Sequence, residues 1–210
     1  MSGKEKSCGK HGNHYWYGRI FTGIITFICI VLCVVLIVGL ILHPHKPYFT
    51  LQDATVYQLN VSSPNFLSSS IQVTIGSRNP NGKIGIYYDR LDVFASYRNQ
   101  QITLLTSIPP SYQGHRDINV WSPYITGNTV PVAPYLAVSL IDDQSAGMIL
   151  LNIKIDGRLR WKVGTWISGG YHIDVNCPAY LTFGDKYSSN TIGIGPAMKY
   201  QLDRQCNTNV

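Results

Sequence analysis

Two pairs, His115 with Asp117 and His172 with Asp174, have the i, i+2 spacing that puts both side chains on one face of a strand. A histidine base oriented by a carboxylate does chemistry only with a nucleophile or substrate proton in hydrogen-bond reach. No Ser or Cys is specified beside either pair, and the only glutamate is Glu5. The chain also lacks G-x-S-x-G, H-E-x-x-H, C-x-x-C and phosphate-binding glycine loops. Both pairs are therefore expected to make strand or loop hydrogen bonds, and no catalytic residue or cofactor is assigned. His11 and His14 near the N-terminus, and His43 and His45 further on, lack the companion ligands a metal centre needs, so no metal site is expected.

The second pattern with chemical content is cationic. Residues 149–163 (ILLNIKIDGRLRWKV) contain Asp156-Gly157, a dipeptide suited to a two-residue hairpin. A hairpin there would set Ile155 opposite Arg158 and Ile153 opposite Arg160, mixing apolar and charged side chains on each face. A strand running straight through puts Ile149, Leu151, Ile153, Ile155, Leu159, Trp161 and Val163 on one face, so a single long strand is predicted, bent or bulged at Gly157. Its other face would display Lys154, Arg158, Arg160 and Lys162. Such a strip is either a solvated face that discourages edge aggregation or a docking surface for anionic lipid headgroups or acidic polysaccharide.

Residues 20–42 (IFTGIITFICIVLCVVLIVGLIL) carry no charge. At about 1.5 Å per helical residue they cross roughly 30 Å, a bilayer's hydrocarbon thickness. The run exceeds a signal peptide's apolar core, and His43-Pro44-His45-Lys46-Pro47 follows it instead of a small-residue cleavage site. Lys4, Lys6, Lys10 and Arg19 precede it, whereas Lys46 alone follows closely, so the N-terminal tail is predicted cytosolic and the C-terminal part outside. The expected divisions are a tail (1–19), a transmembrane helix (20–42), a neck (43–54), a β-sandwich (55–206) and a C-terminal tail (207–210).

The chain is 45% hydrophobic and 13% charged, a composition that folds. Its formal charge of +6 is shared between the tail and an outer part with thirteen Lys or Arg against ten Asp. That mild excess, with no long basic run, excludes nucleic acid as a partner. Of the five cysteines, only Cys177 and Cys206 would meet an oxidising compartment, and they are expected to form a disulfide. Cys8 lies in the tail, and Cys29 and Cys33 are apolar filling in the span. Ser2 stands where myristoylation requires glycine.

Beyond the span the periodicity changes to two. Ile71, Val73 and Ile75 alternate with polar or small residues, 76–83 (GSRNPNGK) supply turn chemistry, and 84–97 resume a strand. Shorter strands are predicted at 102–105, 118–121, 136–141, 171–177 and 179–183, with no amphipathic helix among them. Tyr87 and Tyr88 cannot both point inward on a regular strand. With Tyr57, Leu59 and Val61 facing inward, Asn60 of the sequon Asn60-Val61-Ser62 faces outward, where it could carry a glycan. The whole reads as an all-β, antiparallel sandwich of the fibronectin or immunoglobulin kind, behind one N-terminal transmembrane helix.

Four segments, 79–92 (NPNGKIGIYYDRLD), 112–115 (YQGH), 158–165 (RLRWKVGT) and 171–177 (YHIDVNC), resemble the plant harpin-induced-like, non-race-specific-disease-resistance-like family. The resemblance runs from the span to Cys206. It implies a single-pass plasma-membrane protein, in some members at plasmodesmata, with an outer domain of the group-two late-embryogenesis-abundant type and a part in pathogen or abiotic-stress responses. It implies no enzyme activity. Some relatives are thought to grip the cell wall through Asn-Gly-Asp, but here Asn81-Gly82 is followed by Lys83. Two readings of different class follow: an interaction module for apoplastic proteins or acidic cell-wall polysaccharide, or a lipid or apolar-ligand binder with a cavity of several hundred Å3 between its sheets.

Overall fold

In a computed structural model, residues 12–41, 44–62, 64–182 and 198–210 are described, and they fall into two compact units that divide between His43 and Pro44. The first is helix α1 (Gly12–Ile41). Within it Trp16–Ile37 is apolar and long enough to cross a membrane, and none of that stretch is buried. The hydroxyls of this apolar stretch are satisfied inside the helix: Thr22 donates to the Gly18 carbonyl at 2.5 Å and Thr26 to the Thr22 carbonyl at 3.0 Å. The helix starts well before residue 20, because residues 12–19 continue its hydrogen bonding although they include the polar Asn13 and His14 and the charged Arg19. Leu42, His43 and residues 1–11 of the expected tail lie outside the described residues.

The second unit consists of strands β1 (Tyr48–Ser62), β2 (Phe66–Arg78), β3 (Gly85–Tyr97), β4 (Gln100–Gln101), β5 (Thr106–Ile108), β6 (Ser111–Gln113), β7 (Ile118–Trp121) and β8 (Tyr124–Pro131). Helix α2 (Pro134–Ser145) follows, then β9 (Met148–Val163), β10 (Trp166–Ile167), β11 (Tyr171–Thr182), β12 (Met198–Gln205) and β13 (Asn207–Asn209). They build two antiparallel sheets. One runs β12-β1-β2-β7, with β8 also on β2; the other runs β13-β11-β9-β3-β4, with β5 and β6 on β3 and β10 on β9. Side chains from both sheets form one hydrophobic core, so the domain is an antiparallel β-sandwich.

Register explains which patterns could be read directly. On β9 the buried positions keep one parity from Ile149 through Trp161. The strand is unbroken at Gly157, as its apolar parity required, but the expected bulge sits opposite, in β3 between Tyr88 and Arg90. The bulged backbone presses on Gly157: a Cβ there would lie 2.2 Å from the Arg90 carbonyl oxygen. The same bulge moves the buried set of β3 from Ile86 and Tyr88 to Leu91, Val93 and Ala95. Tyr88 thus points inward and Tyr87 outward.

Two further bulges in β1, at Leu51/Asp53 and Val56/Gln58, switch its parity twice. Tyr57, expected to face inward, is consequently 50% exposed, whereas Leu59 is buried and Asn60 exposed.

Other boundaries differ from expectation. β1 begins at Tyr48, inside the predicted 43–54 neck, and β13 occupies most of the predicted 207–210 tail, pairing with Asp174, Val175 and Asn176. Residues 102–105 link β4 to β5 instead of forming a strand, although Ile102 is buried. The strands expected at 171–177 and 179–183 are one: β11 continues through Pro178, which β13 does not reach, so no ladder donor is needed on that side. Phe183 lies outside the described residues.

The predicted strand at 136–141 is part of helix α2. Pro134 stands in its first turn, and Leu136, Ala137 and Leu140 pack on the core. Tyr135, Val138 and Ile141 are exposed on its other side, so apolar residues all round hid the 3.6-residue period.

Candidate functional surface

Among the described residues, aromatic side chains occupy the space between the sheets. Tyr88 lies edge-on to Phe49 and to Trp121, with ring centroids 6.2 and 5.5 Å away. Its hydroxyl meets Ser77 Oγ at 2.8 Å and donates to Gln113 Oε1 at 2.9 Å, while Gln113 Nε2 donates to the Ser77 carbonyl at 2.6 Å. This buried polar knot joins β2 of one sheet to β3 and β6 of the other. Burial drives the Tyr88 phenol pKa well above its ordinary value, only partly offset by Ser77.

The Asn79-Pro80-Asn81 turn has a comparable structural task. Asn79 donates to the carbonyls of Ile84 and Gly114 at 2.7 and 2.8 Å, and its own oxygen accepts from the Asn81 backbone at 3.0 Å. Asn81 exchanges two hydrogen bonds with the His45 backbone, at 2.9 and 2.7 Å. Both asparagines are buried. The turn therefore clasps the incoming chain to the sandwich.

Cys177 on β11 and Cys206 between β12 and β13 form a disulfide, with Cα atoms 4.5 Å apart. Cys206 is where the C-terminal chain leaves one sheet for the other, and its N–H donates to the Phe49 carbonyl at 2.8 Å. The bridge fixes that crossover.

The four cations of the predicted strip lie on the outward face of β9 but in different surroundings. Arg160 grips Asp89, the bulge residue of β3, with Nη2 at 2.6 Å and Nε at 3.0 Å from Oδ1. Those hydrogen bonds, then the aspartate charge, raise its already high pKa. Lys162 sits over the rings of Tyr87 and Tyr112, 5.4 and 5.0 Å from their centroids. Gly85 makes room for the second ring, since a Cβ there would fall 2.4 Å from the Tyr112 hydroxyl. Lys154 and Arg158 have no carboxylate within ion-pair distance among the described residues.

Register extends the strip sideways. Arg158 stands between Arg90 on β3 and His172 on β11, while Asp156 stands between Asp92 and Asp174. A basic row and an acidic row thus lie side by side across three strands. They are tied by Arg90–Asp92 at 2.7 Å and His172–Asp156 at 3.6 Å. His172 therefore faces a carboxylate on the neighbouring strand and not Asp174, its partner in sequence. Asp117 accepts from the Gly114 and Ile118 backbones and shapes a turn beside His115. Asp89, Tyr87 and Tyr112 were not anticipated here, because the bulge that aims Asp89 at Arg160 has no local sequence signal.

The best-formed concavity on the described domain is an open cleft of about 400 Å3 lined by Tyr48, Arg78, Asn79, Pro80 and Arg116. It lies among loops at one end of the sandwich, not between the sheets. Among the described residues no cluster of three His, Cys, Asp or Glu side chains could hold a metal.

Comparison with known proteins completes the picture. Residues 74–178 match the family described as late embryogenesis abundant protein. The chain is 54% identical over 208 residues to NDR1/HIN1-like protein 12 of Arabidopsis thaliana, covering 98% of this chain and 99% of that relative. Identity is 52% over 209 residues to NDR1/HIN1-like protein 1 of the same plant, covering 98% and 100%. To NDR1/HIN1-like protein 26 it is 44%, covering 85% and 86%. A crystal structure of an Archaeoglobus fulgidus protein covers 63% of this chain and 96% of its own at 10% identity, but its TM-score of 0.32 is too low to inform the fold. With a sandwich that matches the late embryogenesis abundant domain and near full-length identity above one half, this chain belongs to the NDR1/HIN1-like family.

Proposed function

We propose that this protein is a non-enzymatic, single-pass anchor of the plant plasma membrane, plasmodesmata included, that serves defence or stress responses by presenting its sandwich as an interaction module. Helix α1 is the span, with Lys4, Lys6, Lys10 and Arg19 holding the N-terminus in the cytosol and the domain outside. The exposed Asn60 is then open to glycosylation, and loss of a glycosidase-sensitive mass shift in N60Q reports the topology.

The observation that carries the module over a lipid carrier is the occupied space between the sheets. Phe49, Tyr88 and Trp121 meet edge to face there, and the best-formed cleft opens among loops instead. What the domain offers a partner is its outer face. Lys154 and Arg158, with Arg90 and His172 beside Arg158, suit an acidic cell-wall polysaccharide or an acidic patch on an apoplastic protein. Arg160 and Lys162 support the same face while engaged with Asp89 and the two tyrosines.

The test is native mass spectrometry of the full-length chain in nanodiscs, offered plant phospholipids and oligogalacturonides. Retention of an oligogalacturonide, lost in K154Q/R158Q, supports the module. Retention of a lipid that survives those substitutions would support an internal binding site instead.

A further inference from the structure

Four segments meet at one end of the sandwich. Asn81 holds the His45 backbone there, Arg116 N–H donates to the Asn81 carbonyl at 3.1 Å, and Gly85 at the start of β3 pairs with Lys162 near the end of β9. The fourth is the tight turn between β9 and β10, where Gly164 takes a positive φ of 58° and Trp166 pairs back to Val163.

This end combines features that the interior does not explain. Trp166 is 63% exposed and Ile167 41%, on a hairpin tip whose Gly164 has open space around it. Arg78 at the end of β2 and the loop residues Lys83 and Arg116 lie nearby, all exposed and without an acidic partner among the described residues. Asp117, the carboxylate in the same loops, is occupied by backbone N–H groups. The opposite end is different in kind: Asp142 and Asp143 lie on α2, and Arg98 pairs with Asp143 at 3.4 Å. Exposed tryptophan with apolar neighbours and unpaired arginine and lysine is the composition that settles at a bilayer's headgroup level.

The chain itself limits what this end can meet. Ile41 of the span and Pro44 of the domain are three peptide units apart, at most about 11 Å. We infer that this end is a second membrane contact, in which the Trp166-Ile167 tip enters the headgroup layer while Arg78, Lys83 and Arg116 engage lipid phosphates of the facing leaflet. The contact leaves the outward face of β9 free. It rests on the reading of α1 as a membrane span.

The experiment uses full-length protein in nanodiscs of phosphatidylcholine, with and without an anionic phospholipid as charge probe, after alkaline extraction of vesicles has tested whether α1 holds the chain in the bilayer. Amide exchange across residues 163–170 is expected to slow about tenfold on the anionic discs, equivalent to one or two cation–lipid contacts of about 1 kcal/mol each. R78Q/K83Q/R116Q should return it to the rate on neutral discs, while amides of β9 in the core exchange equally in every sample. Equal exchange of 163–170 on the two discs overturns the contact while leaving the span intact. Release of the protein by alkali overturns the reading of α1 and, with it, this inference.

Discussion

The two faces of β9 are built from the same sixteen residues and serve opposite ends. Inward, Ile149, Leu151, Ile153, Ile155, Leu159 and Trp161 are buried without a break in parity, and Gly157 lies under the β3 bulge. Outward, Lys154 is half-buried and Arg158 exposed on either side of Asp156, which faces His172, while Arg160 and Lys162 toward the β10 turn are engaged with Asp89 and Tyr87. The inner face fixes the fold and the outer face is free to vary in chemistry. Substitutions should therefore separate stability from binding along a single strand.

The largest effects belong to the inner side and its fastenings. Removing the disulfide in C177S/C206S releases a loop of 29 residues and is expected to cost about 3.5 kcal/mol, read as a lowered denaturant midpoint. G157A forces a Cβ against the Arg90 carbonyl and should cost about 3 kcal/mol by the same measurement. A G157A protein as stable as the parent would mean that the β3 bulge relaxes freely, and the comparison would lose its inner half.

Polar core groups come next. Y88F keeps the ring contacts but leaves Ser77 and Gln113 without the phenol, an expected loss of about 1 to 2 kcal/mol. Tyr97 is pushed up to about 12 by burial first, then by its hydrogen bond to Asp143 at 2.5 Å and that carboxylate's charge. Its folded pKa exceeds the unfolded value near 10, so the native state holds the proton more tightly. Stability from this group is complete below about pH 10 and falls as pH rises from about 10 to 12, and Y97F should flatten that part of a pH–stability curve. Tyr88, raised in the same direction by its deeper burial, extends the loss to higher pH.

The smallest stability effect is expected on the outer face. K154Q/R158Q should shift unfolding by less than about 0.5 kcal/mol, because neither side chain has a carboxylate partner among the described residues. A larger loss would show that the outer cations also fasten the sheet.

The same contrast explains what the sequence disclosed. Wherever a strand lacks a bulge its apolar parity is a direct record of the core, and β9 could be read through Asp156-Gly157 against a strong local turn signal. The bulges of β1 and β3 break that record. They turn Tyr57 outward and aim Asp89 at Arg160, outcomes set by the neighbouring strand's register and not by local residue types. Helix α2 was hidden for another reason, since its exposed Tyr135, Val138 and Ile141 are as apolar as the face it buries. Of the outer surface, residue types gave the four cations, but only pairing across strands revealed that Arg158 is flanked by Arg90 and His172.

The most direct test is calorimetric titration of an oligogalacturonide into the full-length protein in neutral nanodiscs, wild type beside K154Q/R158Q, with thermal unfolding of both. The account predicts measurable binding by the wild type, a loss of at least about tenfold in the variant, and unfolding transitions that coincide. Equal binding by both proteins would contradict it and remove the outward face of β9 as the site of interaction.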